Sequence, residues 1–399
     1  MSRRRRIFAA GLALLLFSAA ASPALAEEGF RFREGRFEQG ELKYRSGLPV
    51  LIVQGSPEEI GRQEAALTAK GAQGLLDYPR QMMRLFGQER HLPELLAAGS
   101  QLLPQLPRDH LAELEAFAAR AGIDRDLLIG VNTMVDSYRG AFGCSSLLVE
   151  PQRSATGGPL FGRNLDFYTR ANLEKYNLVT VYRVKGKRAF ASIGFPGMFG
   201  CFSGMNDSGL ALATHEAFFS RDEAPMFNPK GVPYTFLLRR ILEECTTVEE
   251  AVAMLKSVER TTLYSLALAD RKHCGVAEVT PNNVVLRRGQ EGLCACVNQF
   301  RSRTLATFRF SPRYNKLMQA RELPQIGVDD VAKKMHEVHQ GWMTLQTMIF
   351  EPEPLRLHLA IGSCPASALP LKRLDLAPLL KPTVAAEGGK GQNRVGSRQ

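Results

Sequence analysis

Phe142-Gly143-Cys144-Ser145-Ser146-Leu147-Leu148-Val149 and, beyond a short turn, Leu160-Phe161-Gly162-Arg163-Asn164-Leu165-Asp166-Phe167 are the two stretches that decide the reading of this chain. Each is a short, mostly apolar run of strand length, bounded by Gly, Pro or Asn. A helical region meets the first at Gly143-Cys144. In the second, Arg163 and Asp166 are embedded between apolar residues, where a charge is costly inside a sheet unless it is paired. Pairing of Arg163 with Asp166 is the simplest expectation, and it fits a structural ion pair as well as a catalytic one.

Upstream of Gly143 the pattern is helical. Residues 27–50 read as a polar, irregular lead-in. Ser56-Pro57-Glu58-Glu59 is a capping box with Pro in the first turn, opening a helix that runs to about Leu76. Further helices are expected over 78–86, 91–103 and 107–121, the last showing Leu111, Leu114 and Phe117 on one face and ending at Gly122. Downstream of Asp166 strands are expected over 178–184, 189–195 and 209–214. Two helices follow, one opened by Pro233 and one by the capping box Thr247 to Glu250. Strands return over 264–269, 275–279, 284–287 and 293–298, then helices over 313–321 and 328–339, and closing strands over 347–351 and 355–361. Strands, two helices, then strands again indicate an α+β layered fold.

Arg3 to Arg6, the apolar run Ile7 to Ala21 and Ala24-Leu25-Ala26 have the three parts of a secretory signal, cut after Ala26. The apolar run is short of the ~20 residues a membrane span needs. Arg5-Arg6 resembles a twin-arginine signal, but a plain arginine run accounts for it, so Sec export to the periplasm or exterior is the expectation. The domain plan is a signal peptide 1–26, a helical N-terminal segment 27–143, a catalytic domain 144–382 and a disordered tail 383–399. The formal charge is +11, of which the four signal arginines carry four. No dense basic patch with interleaved aromatics accompanies it, which argues against nucleic-acid binding. The seven cysteines (144, 201, 245, 274, 294, 296 and 364) have no zinc-type spacing. No cofactor or metal is expected.

Gly143-Cys144-Ser145 followed by Gly162-Arg163-Asn164-Leu165-Asp166 resembles the penicillin acyltransferase-like family of autoproteolytic acyltransferases and hydrolases. That family belongs to the N-terminal-nucleophile hydrolases and is related to the choloylglycine hydrolases. The resemblance spans nearly the whole chain after the signal. Gly55 to Gly61 is similar to the family's N-terminal motif. Gly204-Met205-Asn206-Asp207-Ser208-Gly209-Leu210 is similar to its Met-Asn-x-x-Gly-Leu turn. Val297-Asn298-Gln299-Phe300 is similar to its Thr-Asn-His-Phe segment, with Val and Gln replacing Thr and His. Ser311-Pro312-Arg313-Tyr314 is similar to its Ser-x-x-Arg-aromatic segment.

The resemblance implies a four-layer αββα sandwich of two antiparallel sheets between helices. It implies that Cys144 attacks the Gly143–Cys144 bond, leaving an α/β heterodimer in which Cys144 is both nucleophile and, through its freed α-amine, general base. By the same resemblance Asp166 holds that amine and Arg163 lies against the thiolate. Asn298 and Asn206 donate to the oxyanion, and Arg313 supports the charge network. Phe195, Met198, Phe199 and Phe202 are candidates for an apolar acyl pocket, and core packing explains them as well. The expected substrate is a small-molecule amide with an apolar acyl group, hydrolysed or passed to an amine. A Cys-His peptidase using uncut Cys144 with His215, and a binding protein that has kept the fold, are the rival readings.

Overall fold

The computed structural model describes residues 30–85, 87–137, 142–167 and 173–381. The signal and tail boundaries drawn above fall outside them.

Two sheets make the centre. The first has ten strands in the order β1 (Gly35–Phe37), β2 (Gly40–Arg45), β3 (Leu48–Gly55), β6 (Leu178–Val184), β7 (Phe190–Gly194), β8 (Ser203–Asn206), β9 (Ala211–Glu216), β10 (Tyr264–Ala269), β11 (Cys274–Val279) and β12 (Val284–Arg288). The second has six, in the order β13 (Leu293–Cys296), β4 (Phe142–Val149), β5 (Leu160–Phe167), β14 (Thr344–Glu351), β15 (Arg356–Ala360) and β16 (Lys372–Asp375). The sheets face each other through one apolar layer that takes Val50, Val181, Ala213 and Val276 from the first, and Leu148, Phe161, Met348 and Leu359 from the second.

Helices cover both outer faces. The first sheet carries α1 (Pro57–Leu76), α6 (Tyr234–Glu244) and α7 (Val248–Ser257). The second carries α8 (Pro312–Met318) and α9 (Val328–Glu337). The layer order is therefore αββα, as expected. One detail differs: β3 runs parallel to β6, so the larger sheet is mixed.

Much of the lead-in expected to be irregular is in fact strand: Gly35–Phe37, Gly40–Arg45 and the start of Leu48–Gly55. Leu48 to Val53 is buried throughout, and an uninterrupted apolar run marks a strand covered on both faces where alternation is absent. A polar start and Pro49 mask that signal. α2 (Tyr78–Leu85), α3 (Leu92–Leu102) and α4 (Arg108–Ala121) fall where periodicity puts them. A further helix, α5 (Arg125–Ser137), had no counterpart in the sequence reading. Its start is capped by Asp124, whose Oδ1 accepts from the Leu127 N–H at 2.7 Å.

Candidate active site

Gly143 and Cys144 sit near the start of β4, the second strand from the edge of the smaller sheet. β4 pairs antiparallel with β5 so that Gly143 lies opposite Asp166, Cys144 opposite Leu165 and Ser146 opposite Arg163. Side chains alternate along a strand and directly opposed residues share a face. Cys144, Ser146 and Arg163 therefore face the larger sheet, while Asp166 and Asn164 face the α8–α9 layer. Arg163 and Asp166, three residues apart, point to opposite sides and do not pair, which corrects the ion pair expected from the sequence.

Arg163 is fully buried between the sheets. Its Nε donates to Ser203 Oγ at 2.7 Å and its Nη1 to His215 Nε2 at 3.5 Å, while Nη2 has no partner. Among the described residues no carboxylate pairs with it on this side. The Cys144 thiol lies beside it. Burial raises that thiol above its usual range, against the opposing pull of the Arg163 charge and hydrogen bond.

Asp166 is held from the other side. Thr344 Oγ1 donates to Oδ1 at 2.6 Å, Gln340 Nε2 donates to Oδ2 at 2.8 Å, and Arg313 Nη1 stands 3.9 Å from Oδ2. Burial still raises its carboxyl above the ordinary value, against those hydrogen bonds and both arginines. Neither Gln340 nor Thr344 was singled out from the sequence. Thr344 pairs in register with Asp166 across β5 and β14, a long-range pairing with no local signal.

Asn298 reaches the nucleophile directly. Its Oδ1 accepts the Cys144 backbone N–H at 2.8 Å and Arg313 Nη2 at 3.0 Å, and its Nδ2 donates to the Glu216 carbonyl at 3.0 Å. Arg313 Nη1 donates to the Cys144 carbonyl at 2.9 Å. Arg313 is placed by the first turn of α8, where Ser311 Oγ accepts from the Tyr314 N–H at 3.3 Å. In the uncut chain the Cys144 nitrogen is held by Asn298; the amine that the resemblance assigns to Asp166 exists only after a cut.

Gly143 has a steric reason to be glycine. A Cβ there would run into the Gln340 side-chain amide that serves Asp166.

Asn206 stands apart. Both amide hydrogens are spent, on the Leu242 carbonyl at 2.9 Å and the Cys245 carbonyl at 2.8 Å. Its Oδ1 accepts from the Ser208 N–H, the Ser208 hydroxyl and the Leu210 N–H. It is a turn asparagine tying β8 to α6, not an oxyanion donor. His215 is fully buried, with Nε2 2.9 Å from Ser146 Oγ. Burial and Arg163 hold its pKa well below the usual range, so it is neutral at pH 7 and its ring meets Ser146 and Arg163.

An apolar cleft with about 90 Å³ of free space opens on the cysteine's side of β5. Leu165 and Phe167 form its floor, Phe195, Met198 and Phe202 one wall, and α1 and α5 the other through Leu75, Leu76, Val131 and Met134. Phe199, the fourth candidate, is not part of it. It is buried edge-on against Phe117, ring centroids 5.3 Å apart, in the helical core.

The family described as acyl-coenzyme A:6-aminopenicillanic acid acyl-transferase matches residues 153–363. That range holds Arg163, Asp166, Asn298 and Arg313 and begins after Cys144. Among curated proteins none matches the sequence. Solved structures similar to it include these three. The Caenorhabditis elegans ortholog of N-acylethanolamine-hydrolyzing acid amidase is 15% identical, over 53% of this chain and 93% of that one, with a TM-score of 0.43. A mutant conjugated bile acid hydrolase from Clostridium perfringens is 14% identical, over 59% and 93%, with a TM-score of 0.43. Penicillin V acylase from Agrobacterium tumefaciens is 14% identical, over 58% and 86%, with a TM-score of 0.40. With more than half its length matched, the chain belongs to the acyl-coenzyme A:6-aminopenicillanic acid acyl-transferase family.

Proposed function

We propose that this enzyme is exported, cuts itself between Gly143 and Cys144, and then hydrolyses a small-molecule amide with an apolar acyl group through a Cys144 thioester. The observation that carries the reading is the set of contacts on one residue. The Cys144 nitrogen is held by Asn298, its carbonyl by Arg313, and its thiol lies beside a buried arginine with an unspent donor.

In the first stage the thiol attacks the Gly143 carbonyl. The Gly143–Cys144 C–N bond breaks, a C–S bond forms, and the nitrogen becomes a free amine. Water then cleaves the thioester, giving a Gly143 carboxylate and restoring the thiol. Asn298 Oδ1 keeps the nitrogen in place as it changes from amide to amine.

In the second stage the α-amine takes the thiol proton. Its ordinary pKa of ~7.7–8.0 suits a base at neutral pH. Arg163 stabilises the thiolate, which attacks the amide carbonyl of the substrate. The amine leaves with the proton, and water releases the acid. The acyl group lies in the cleft over Leu165, directly opposite Cys144 in the sheet. Water is favoured as acceptor because an exported enzyme does not meet acyl-coenzyme A. Transfer to an amine uses the same thioester. His215 spends its Nε2 on Ser146 and Arg163 and not on the Cys144 thiol, which speaks against the Cys-His peptidase.

Intact-mass and N-terminal analysis of the purified protein tests the first stage. Two fragments meeting at Gly143 and Cys144 are expected, and a single chain starting at Glu27 overturns it. Mass spectrometry of the protein quenched during turnover of an N-acyl amide tests the second stage. It should show the acyl group on the fragment that begins with Cys144.

A further inference from the structure

A second pocket, of about 160 Å³, lies against edge strand β13 and the far side of α8, and shares no residue with the apolar cleft. Arg287, Arg288, Arg301 and Arg309 line it, together with the amide of Gln290 and the ring of Tyr314, and no lining residue is acidic.

The four guanidiniums are not equally spoken for. Arg287 is paired with buried Glu278 at 3.3 Å and donates to the Ala295 carbonyl at 2.7 Å. Arg288 is paired with Glu249 and donates to the Cys274 carbonyl at 3.2 Å. Among the described residues no carboxylate pairs with the Arg301 side chain. It is stacked over Tyr314, with its guanidinium carbon 3.6 Å from the ring centre, and its Nη1 donates to the Arg309 carbonyl at 2.5 Å. The Arg309 side chain has no hydrogen bond or ion pair among the described residues. Glu278 is already committed, accepting from the Arg301 and Ser302 backbone N–H groups as well as from Arg287. Burial, then the neighbouring Arg287 and Arg309, holds Arg301 below its usual pKa. Two cations in excess thus converge on one concavity.

Planar guanidiniums with open forks are the usual answer to a tetrahedral oxyanion, and stacking on an aromatic ring fixes such a fork in advance. We infer that this arginine-lined pocket binds a phosphate group, free or ester-linked, held by Arg301 and Arg309 with Gln290 and the Tyr314 hydroxyl as further donors. Because Tyr314 follows Arg313 in α8, the site borders the active-site helix without drawing on its catalytic groups.

Isothermal titration of the full-length protein with inorganic phosphate, in chloride buffer, tests this. Saturable binding of one phosphate per chain is expected. Arg309→Gln should weaken it about tenfold, and Arg301→Gln with Arg309→Gln should remove it. Arg303→Gln, a loop arginine outside the pocket, should leave it unchanged. Phenyl phosphate distinguishes the source: tighter binding than phosphate marks an ester-linked ligand, weaker binding a free ion. Melting temperatures in chloride show that the variants are folded. Heats that do not saturate overturn the inference, as does equal binding of acetate. So does an Arg303→Gln loss as large as that of Arg309→Gln, which would mean diffuse charge and no site. None of these readouts depends on self-cleavage or amidase activity.

Discussion

Two arginines lie fully buried among the described residues, and their surroundings are opposite. Arg239, on α6, is enclosed by carboxylates. It bonds Glu113 through Nη1 and Nη2 at 2.8 and 2.6 Å and Glu243 through Nε at 2.8 Å, with the Phe199 carbonyl as a further acceptor. His110 stands 2.9 Å from Glu243, and Glu64 lies beside the cluster. Arg163 meets no carboxylate at hydrogen-bonding distance, only a hydroxyl, an imidazole and a thiol, and one of its nitrogens has no partner. A fully paired buried cation stabilises the fold around it and is chemically inert. One that is left short of negative charge favours any anion formed beside it, and here the neighbour is the Cys144 thiol. The geometric trio Asp109, His110 and Glu243, which has metal-ligand types within 4.8 Å, belongs to the first kind, since Arg239 already occupies Glu243.

The contrast can be broken at several points. Cys144→Ala should leave a single uncut chain with no amidase activity, read by intact mass and substrate assay. Cys144→Ser should slow or block the cut. Arg163→Gln should lower kcat/KM by about 100-fold, near 3 kcal/mol of transition-state stabilisation, with the fold kept in circular dichroism. Arg239→Gln should do the reverse. It strands Glu113 and Glu243 as buried charges and costs about 3–5 kcal/mol in urea unfolding, with any surviving folded enzyme still active. Equal loss of activity per folded molecule in the two variants would end the comparison.

A smaller effect is expected at Gln340→Ala, which leaves Asp166 with Thr344 as its one near hydrogen-bond donor. A fall of about tenfold in the rate of self-cleavage, measured by gel densitometry, is expected. The mildest test is one of pH. Burial next to Glu113 raises the Glu64 carboxyl to about 8. The folded state then holds a proton that the unfolded chain releases near its usual ~4.3. That contribution to stability is complete below the unfolded value and fades as pH rises through about 8. Glu64→Gln should therefore melt higher than wild type at pH 8.5 and level with it at pH 4, by differential scanning calorimetry.

The sequence carried more of the frame than of the chemistry. Capping boxes at Ser56 and Thr247 and the turn residues between strands are local signals, and the helices and most strands lie where they indicate. Strand β3 was lost because a doubly buried strand does not alternate. Cys144, Arg163, Asp166, Asn298 and Arg313 were named from motifs in order, and they do converge. Their contacts were not legible. Which face each residue takes depends on register, and register comes from long-range pairing, so Arg163 and Asp166 looked like partners and are back to back. Asn206 lies in a motif and yet spends every bond on a turn. Arg239 and Glu243 look from sequence like an ordinary i, i+4 surface pair on an amphipathic helix. Only the packing of α4 against α6 shows that they are interior.

Strand β3 lies before Gly143 and its hydrogen-bonded neighbour β6 after it. If the proposed cut between Gly143 and Cys144 is made, the larger sheet is woven from two separate polypeptides. Reassembly from the denatured state then becomes a second-order encounter, slowed by dilution, where the precursor had a first-order path. The working lifetime of the mature enzyme is then governed by how slowly it comes apart, not by an equilibrium it could revisit.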